Sequence, residues 1–124
     1  MAKASTPDAE SAAQLPLTPA TFQILMSLVD AERHGYAIMK DVSDNTEGAV
    51  KLGPGTLYGS LKRLLEGGLV EECDERPDPD MGDERRRYYR ITKFGLSVAR
   101  AEARRMAAVV RIARVKKLVG MEPA

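Results

Sequence analysis

The sequence predicts a mainly α-helical fold that carries one small β-hairpin and ends in a long helix. Three observations support this. Proline follows a capping residue at Thr18-Pro19 and a glycine at Gly53-Pro54; both open helices, because the first helical N–H has no intrahelical partner to lose. Apolar residues then recur at spacings of three and four as far as Leu65, as a helix with one buried side requires. After Gly67-Gly68 the period shortens to alternation around a Pro/Gly-containing segment, and it reverts to helical spacing beyond Thr92.

Taken in order, residues 1–15 read as a polar, flexible arm in which Ser5-Thr6-Pro7 offers a weak cap for a short helix through Gln14. The first firm helix starts at Pro19 and runs to near Glu32, with Phe22, Leu25, Leu28 and Val29 on its inner side. The second spans Gly35 to Thr46, with Ile38, Met39 and Val42 inward and Gly48 as its stop. Residues 49–52 form an extended link. Pro54 opens a third helix whose Leu57, Leu61, Leu64 and Leu65 make one stripe. Leu69–Cys73 and Arg87–Ile91 are strands, the second placing Tyr89 and Ile91 on one face, and Asp74–Arg86 is the hairpin loop between them. Thr92 caps a final helix reaching about Val119. Three helices followed by a hairpin is the winged helix-turn-helix arrangement. Residues 16–91 would form that domain and residues 92–120 a dimerisation helix.

Charge is more telling in its distribution than in its sum of +1. Residues 1–53 hold four Lys/Arg against seven Asp/Glu, whereas residues 85–119 hold twelve basic residues against Glu102 alone. A chain polarised in this way can present a positive face to phosphates despite near-neutral totals. The single cysteine, Cys73, excludes an intrachain disulfide. With no signal-like apolar core in Met1–Gln14 and no membrane-length apolar run, the expectation is a cytoplasmic protein that does not engage a membrane.

With its leucines inward, the third helix turns Thr56, Gly59, Ser60 and Arg63 outward, flanked by Tyr58 and Lys62. Small and hydrogen-bonding side chains there suit close approach to a major groove, and the open N–H groups of the first turn can receive a phosphate. Arg85-Arg86-Arg87 stand where the second wing strand begins, beside a duplex held by that helix. In the last helix Leu96, Ala99, Ala103, Met106, Val110 and Ala113 form a heptad-like seam, and Val109, Ile112 and Val119 add apolar surface in need of a partner. A second copy is the expected one. His34 is the lone histidine, and no residues have metal-ligand spacing, a nucleophile elbow or paired catalytic carboxylates. The expectation is therefore a non-enzyme with neither metal nor cofactor. The competing expectation is a winged helix that binds protein and not DNA.

The run Gly53-Pro54-Gly55-Thr56-Leu57-Tyr58, then Leu61-Lys62-Arg63-Leu64, Gly68-Leu69-Val70 and Arg87-Tyr88-Tyr89-Arg90-Ile91-Thr92-Lys93-Phe94-Gly95, with His34-Gly35-Tyr36-Ala37-Ile38 upstream, resembles the PadR family of transcriptional regulators. The motifs cover about residues 17–97. The resemblance implies a homodimeric repressor on a pseudo-palindromic site in double-stranded DNA, with a small-molecule effector, often aromatic, as a further partner. By position it implies DNA contacts from Tyr36, Gly55, Thr56, Tyr58, Ser60, Lys62, Arg63, Arg85, Arg86 and Arg87, with Tyr89 in the core. Two features depart from the family. The wing tip is acidic (Asp74, Glu75, Asp78, Asp80, Asp83, Glu84), which restricts phosphate contacts to the arginine stem. The chain also has no Trp and only two Phe, a poor endowment for an aromatic-stacking pocket.

Overall fold

A computed structural model describes residues 7–77 and 85–120. The elements run α1 (Pro7–Ala12), α2 (Pro19–Ser27), β1 (Arg33–His34), α3 (Gly35–Asn45), α4 (Pro54–Glu66), β2 (Val70–Pro77), β3 (Arg85–Ile91) and α5 (Lys93–Val115). The fold is mainly helical with one small antiparallel sheet, as the sequence predicts, and the prolines and threonines do what their positions require. The Thr18 side chain accepts from the Thr21 N–H, and Pro19 stands at the start of α2. Thr92 does the same for α5 through the Gly95 N–H at 3.0 Å.

The core lies where α2, α3 and α4 converge on the sheet and on the first turns of α5. Ile24, Leu25, Ile38, Leu57 and Val98 are its most enclosed side chains. Four predicted boundaries move. Helix α2 stops at Ser27 instead of near Glu32, because the chain turns at Leu28 into β1; Leu28 is buried but Val29 is left half exposed. Helix α5 ends at Val115, short of Val119. Strand β2 runs on to Pro77 and β3 begins at Arg85, so much of the segment read as hairpin loop is strand. Residues 78–84, which carry the acids Asp78, Asp80, Asp83 and Glu84 of the wing tip, lie outside the described residues.

Two features go beyond the sequence reading. The two-residue β1 joins the outer edge of β3, giving sheet order β1-β3-β2 with Arg33 opposite Tyr89 and His34 opposite Tyr88. The short helix weakly offered within the polar arm forms over Pro7–Ala12, and it packs against α5 with Ser11 buried; residues 1–6 lie outside the described residues. A six-residue helix is unstable alone and persists only by packing, which a polar composition does not announce.

Helix α5 changes character along its length. Gly95, Val98, Ala99 and Glu102 are buried in the domain, whereas from Ala103 to Val115 only Ala108 and Ala113 are even half-buried. Ala99, expected in the pairing seam, belongs instead to the chain's own core. The same stripe then continues, exposed, through Met106, Val109 and Val110. Glu102 fastens the helix to the segment before α2. Its carboxylate accepts from the Leu17 N–H at 3.1 Å and from the Arg105 guanidinium at 2.6 and 3.0 Å. The Arg105 hydrogen bond, helped by that of Leu17, holds the carboxyl below its ordinary value against the opposing push of burial.

Candidate nucleic-acid interface

Helix α4 owes its exposed side to its composition. Leu57, Leu61 and Leu64 are buried, while Gly55, Thr56, Tyr58, Lys62 and Arg63 are exposed. With no acid or bulky aliphatic residue among these five, the first two turns offer a low, hydrogen-bonding surface.

Ser60 does not belong to that surface. It is 2% exposed, so the expected contact at this position is corrected. Ser60 follows Leu57 by three residues and precedes Leu64 by four, which is the spacing of the buried stripe itself. Its hydroxyl lies 3.4 Å from the Arg63 guanidinium. Ser60 and Arg63 together line a hollow against Leu17, Thr18 and Thr21 at the start of α2, so Arg63 turns toward α2.

On the other flank of α4, the N-terminal ends of α3 and α4 and the stem of the wing enclose a groove of about 430 Å³. Tyr36 and Tyr58 stand in it, each about half exposed (53% and 50%). Arg86, Arg87 and Glu75 form its wing side, with Tyr89 at its back. Tyr58 comes so close to Gly35 that a Cβ at that position would collide with the ring. The groove thus brings together four of the expected contact residues, Tyr36, Tyr58, Arg86 and Arg87, from three elements distant in sequence.

The wing stem is less positive than its arginines suggest. Arg87 lies 3.1 Å from Glu75 and 3.5 Å from Glu72, Arg90 2.6 Å from Glu71, and Arg76 2.8 Å from Glu32. Arg85 donates to the Glu75 carbonyl. The hydrogen bond that Arg87 donates to Glu75, then the charge of Glu72, raises the Arg87 guanidinium above its ordinary value. The opposite face of the sheet holds a separate cluster. The Arg76 guanidinium stacks 3.8 Å from the Tyr88 ring centroid, and the His34 ring meets Tyr88 edge-on at 5.2 Å. His34 Nδ1 also accepts the Ala37 N–H to cap α3. Tyr88 is as buried as Tyr89, since Arg76 and His34 pack on its ring while Tyr89 joins the core. The Cys73 thiol, half-buried in β2, is pushed up first by burial and then by the Glu32 carboxylate.

Sequence reasoning missed the part Glu75 plays. It counted Glu75 among acids of a remote tip, whereas the strands extend far enough to set Glu75 opposite Arg87, inside the groove. An irregularity in the ladder between Glu72 and Glu75 fixes that register. A bulge of this kind has no signature in composition.

The model of the transcriptional regulator PadR-like family matches residues 24–101. An uncharacterised 37.1 kDa protein carried in a Streptomyces fradiae transposon is 36% identical over 87 residues, 68% of this chain but only 22% of its own length. Among solved structures, the PadR-like transcriptional regulator from Bacillus cereus superposes with a TM-score of 0.66 at 22% identity, covering 82% of this chain and 92% of that one. Bacillus subtilis PadR in complex with operator DNA gives a TM-score of 0.57 at 16% identity, covering 88% of this chain and 51% of that one. At such identities the structural likeness is one of fold.

Proposed function

Since the chain belongs to the PadR-like family of transcriptional regulators, we propose that it is a sequence-specific repressor that binds double-stranded DNA as a homodimer. One observation carries the reading: the leucine-free side of α4 is open and stands next to a groove walled by the wing arginines. In the proposed complex Gly55 and Thr56 approach base edges and Lys62 holds backbone. Tyr36, Tyr58, Arg86 and Arg87 take the phosphates passing the groove, with Arg85 at its rim and Arg63 on the α2 flank.

Pairing is proposed through the exposed half of α5, where Ala103, Met106, Val110 and Ala113, with Val109, continue the stripe that Ala99 buries internally and that Leu96 begins. A two-fold pair presents two α4 helices to half-sites about one turn, roughly 34 Å, apart. An effector that alters the angle between α5 and the wing domain changes this spacing and releases DNA. Bacillus subtilis PadR, solved on operator DNA, supports the DNA-binding part of the reading.

The test is selection of bound genomic fragments by the purified protein, followed by titration of a selected duplex at increasing salt. A palindromic motif, an affinity that falls steeply with salt, and weaker binding after alanine replaces Thr56 and Lys62 are expected. Binding indifferent to salt and to both substitutions refutes the reading and leaves a winged helix that serves a protein partner.

A further inference from the structure

An arginine that is to hold a DNA phosphate is already holding an anion in this structure. The Arg87 guanidinium has Glu75 at 3.1 Å and Glu72 at 3.5 Å, and Glu75 lies inside the groove with Arg86, Tyr36 and Tyr58. Guanidinium binds carboxylate and phosphate with the same planar fork of donors. A carboxylate and a phosphodiester therefore compete for the same atoms of Arg87. The pair is half exposed on both sides, 53% and 52% of each side chain, so it can open without unfolding the strand.

Resting on the proposed DNA-binding role, we infer that Glu75 is a built-in competitor for the phosphate site at Arg87. Duplex binding there exchanges one anion for another, and Glu75 lowers the affinity of the regulator for DNA in general. The competition is common to every duplex whose phosphate uses Arg87, so operator and non-specific DNA weaken by the same factor, and only sites where α4 adds base contacts keep a high affinity. The neighbouring pair Glu71–Arg90, at 2.6 Å, has the same chemistry. Arg90 stands three residues from Arg87 along β3, on the opposite face of the strand, and supplies an internal control.

The experiment titrates a fluorescein-labelled duplex of random sequence, across a range of salt, with the wild-type chain and the variants E75Q, E71Q, R87A and E75Q/R87A. E75Q is expected to bind tighter by up to about fivefold, the strength of an exposed ion pair. Its log–log salt dependence should be steeper by up to about 0.9, one phosphate more. The gain should vanish in the R87A background, since the two residues act through one contact. A gain that persists without Arg87, an equal gain in E71Q, or no gain in E75Q while wild type binds overturns the inference and leaves the regulator reading intact. If no variant binds duplex even at low salt, the regulator reading falls and the inference with it. All three positions are exposed, and matching circular dichroism spectra establish that each variant is folded.

Discussion

Gly95, in the first turn of α5, is where the wing domain meets the helix that leaves it. A Cβ built there would collide with the Leu69 carbonyl oxygen and press on Ile91 at 2.9 Å. The first obstacle is backbone, and the same carbonyl accepts the Thr92 N–H at 3.0 Å, so it cannot swing aside freely. For Gly95→Ala, helix propensity returns about 1 kcal/mol. Overpacking costs about 1–3 kcal/mol, and straining the Thr92 hydrogen bond about 1 kcal/mol more. The expected result is a net loss of about 2 kcal/mol, which lowers Tm by about 8 °C in a chain of this size. Gly59→Ala is the matched control. Its Cβ meets nothing nearer than the Arg63 guanidinium at 3.9 Å, so only the propensity gain of about 1 kcal/mol remains and Tm rises by about 4 °C. Thermal melts followed by far-ultraviolet circular dichroism read both. If Gly95→Ala melts at or above the wild-type temperature, the close packing of α5 on Leu69 is not the constraint described.

Three further outcomes are expected. The folded-state pKa of Glu102 is lowered from 4.5, so its charge contributes stability above that value, and the contribution is lost as pH falls through the lowered one. Urea midpoints of wild type and Glu102→Gln should therefore differ at neutral pH and converge under acid, and a gap that widens toward low pH contradicts the assigned charge state. Val110→Glu, at a position 38% exposed in the single chain, should leave the melting of the domain nearly unchanged while sedimentation shows a shift to monomer; persistence of a dimer would exclude pairing through this stripe. Ser60→Ala should leave duplex affinity within about twofold of wild type, since the hydroxyl is buried and contributes at most a modest internal hydrogen bond, and a loss of sequence preference would return Ser60 to the interface.

Legibility in the sequence follows the range of the interactions. The starts of α2, α4 and α5 were legible because each depends on residues within one turn: Thr18 with Pro19, Gly53 with Pro54, and Thr92 with the Gly95 N–H. The open side of α4 was legible for the same reason, as a helical period turns a run of leucines into a face. Ser60 was misplaced because its size and polarity were weighed above its position between Leu57 and Leu64. The docking of α1, strand β1 and the burial of Glu102 were not legible, since each exists through a partner far along the chain: α5 for the first, β3 for the second, and the Leu17 N–H for the third.

The sequence by itself determined the order of the main helices and the two wing strands, the winged-helix class and the polarity of α4, because periodicity and capping are local chemistry written in consecutive residues. Only the tertiary structure decided that Tyr36, Tyr58, Arg86 and Arg87 share one groove, that Glu75 shares it with them, and that α5 buries its first turns and exposes the rest. Strand register and helix docking set those outcomes. Both arise from packing between segments distant in sequence, where a displacement of one residue along a strand moves each side chain to the other face.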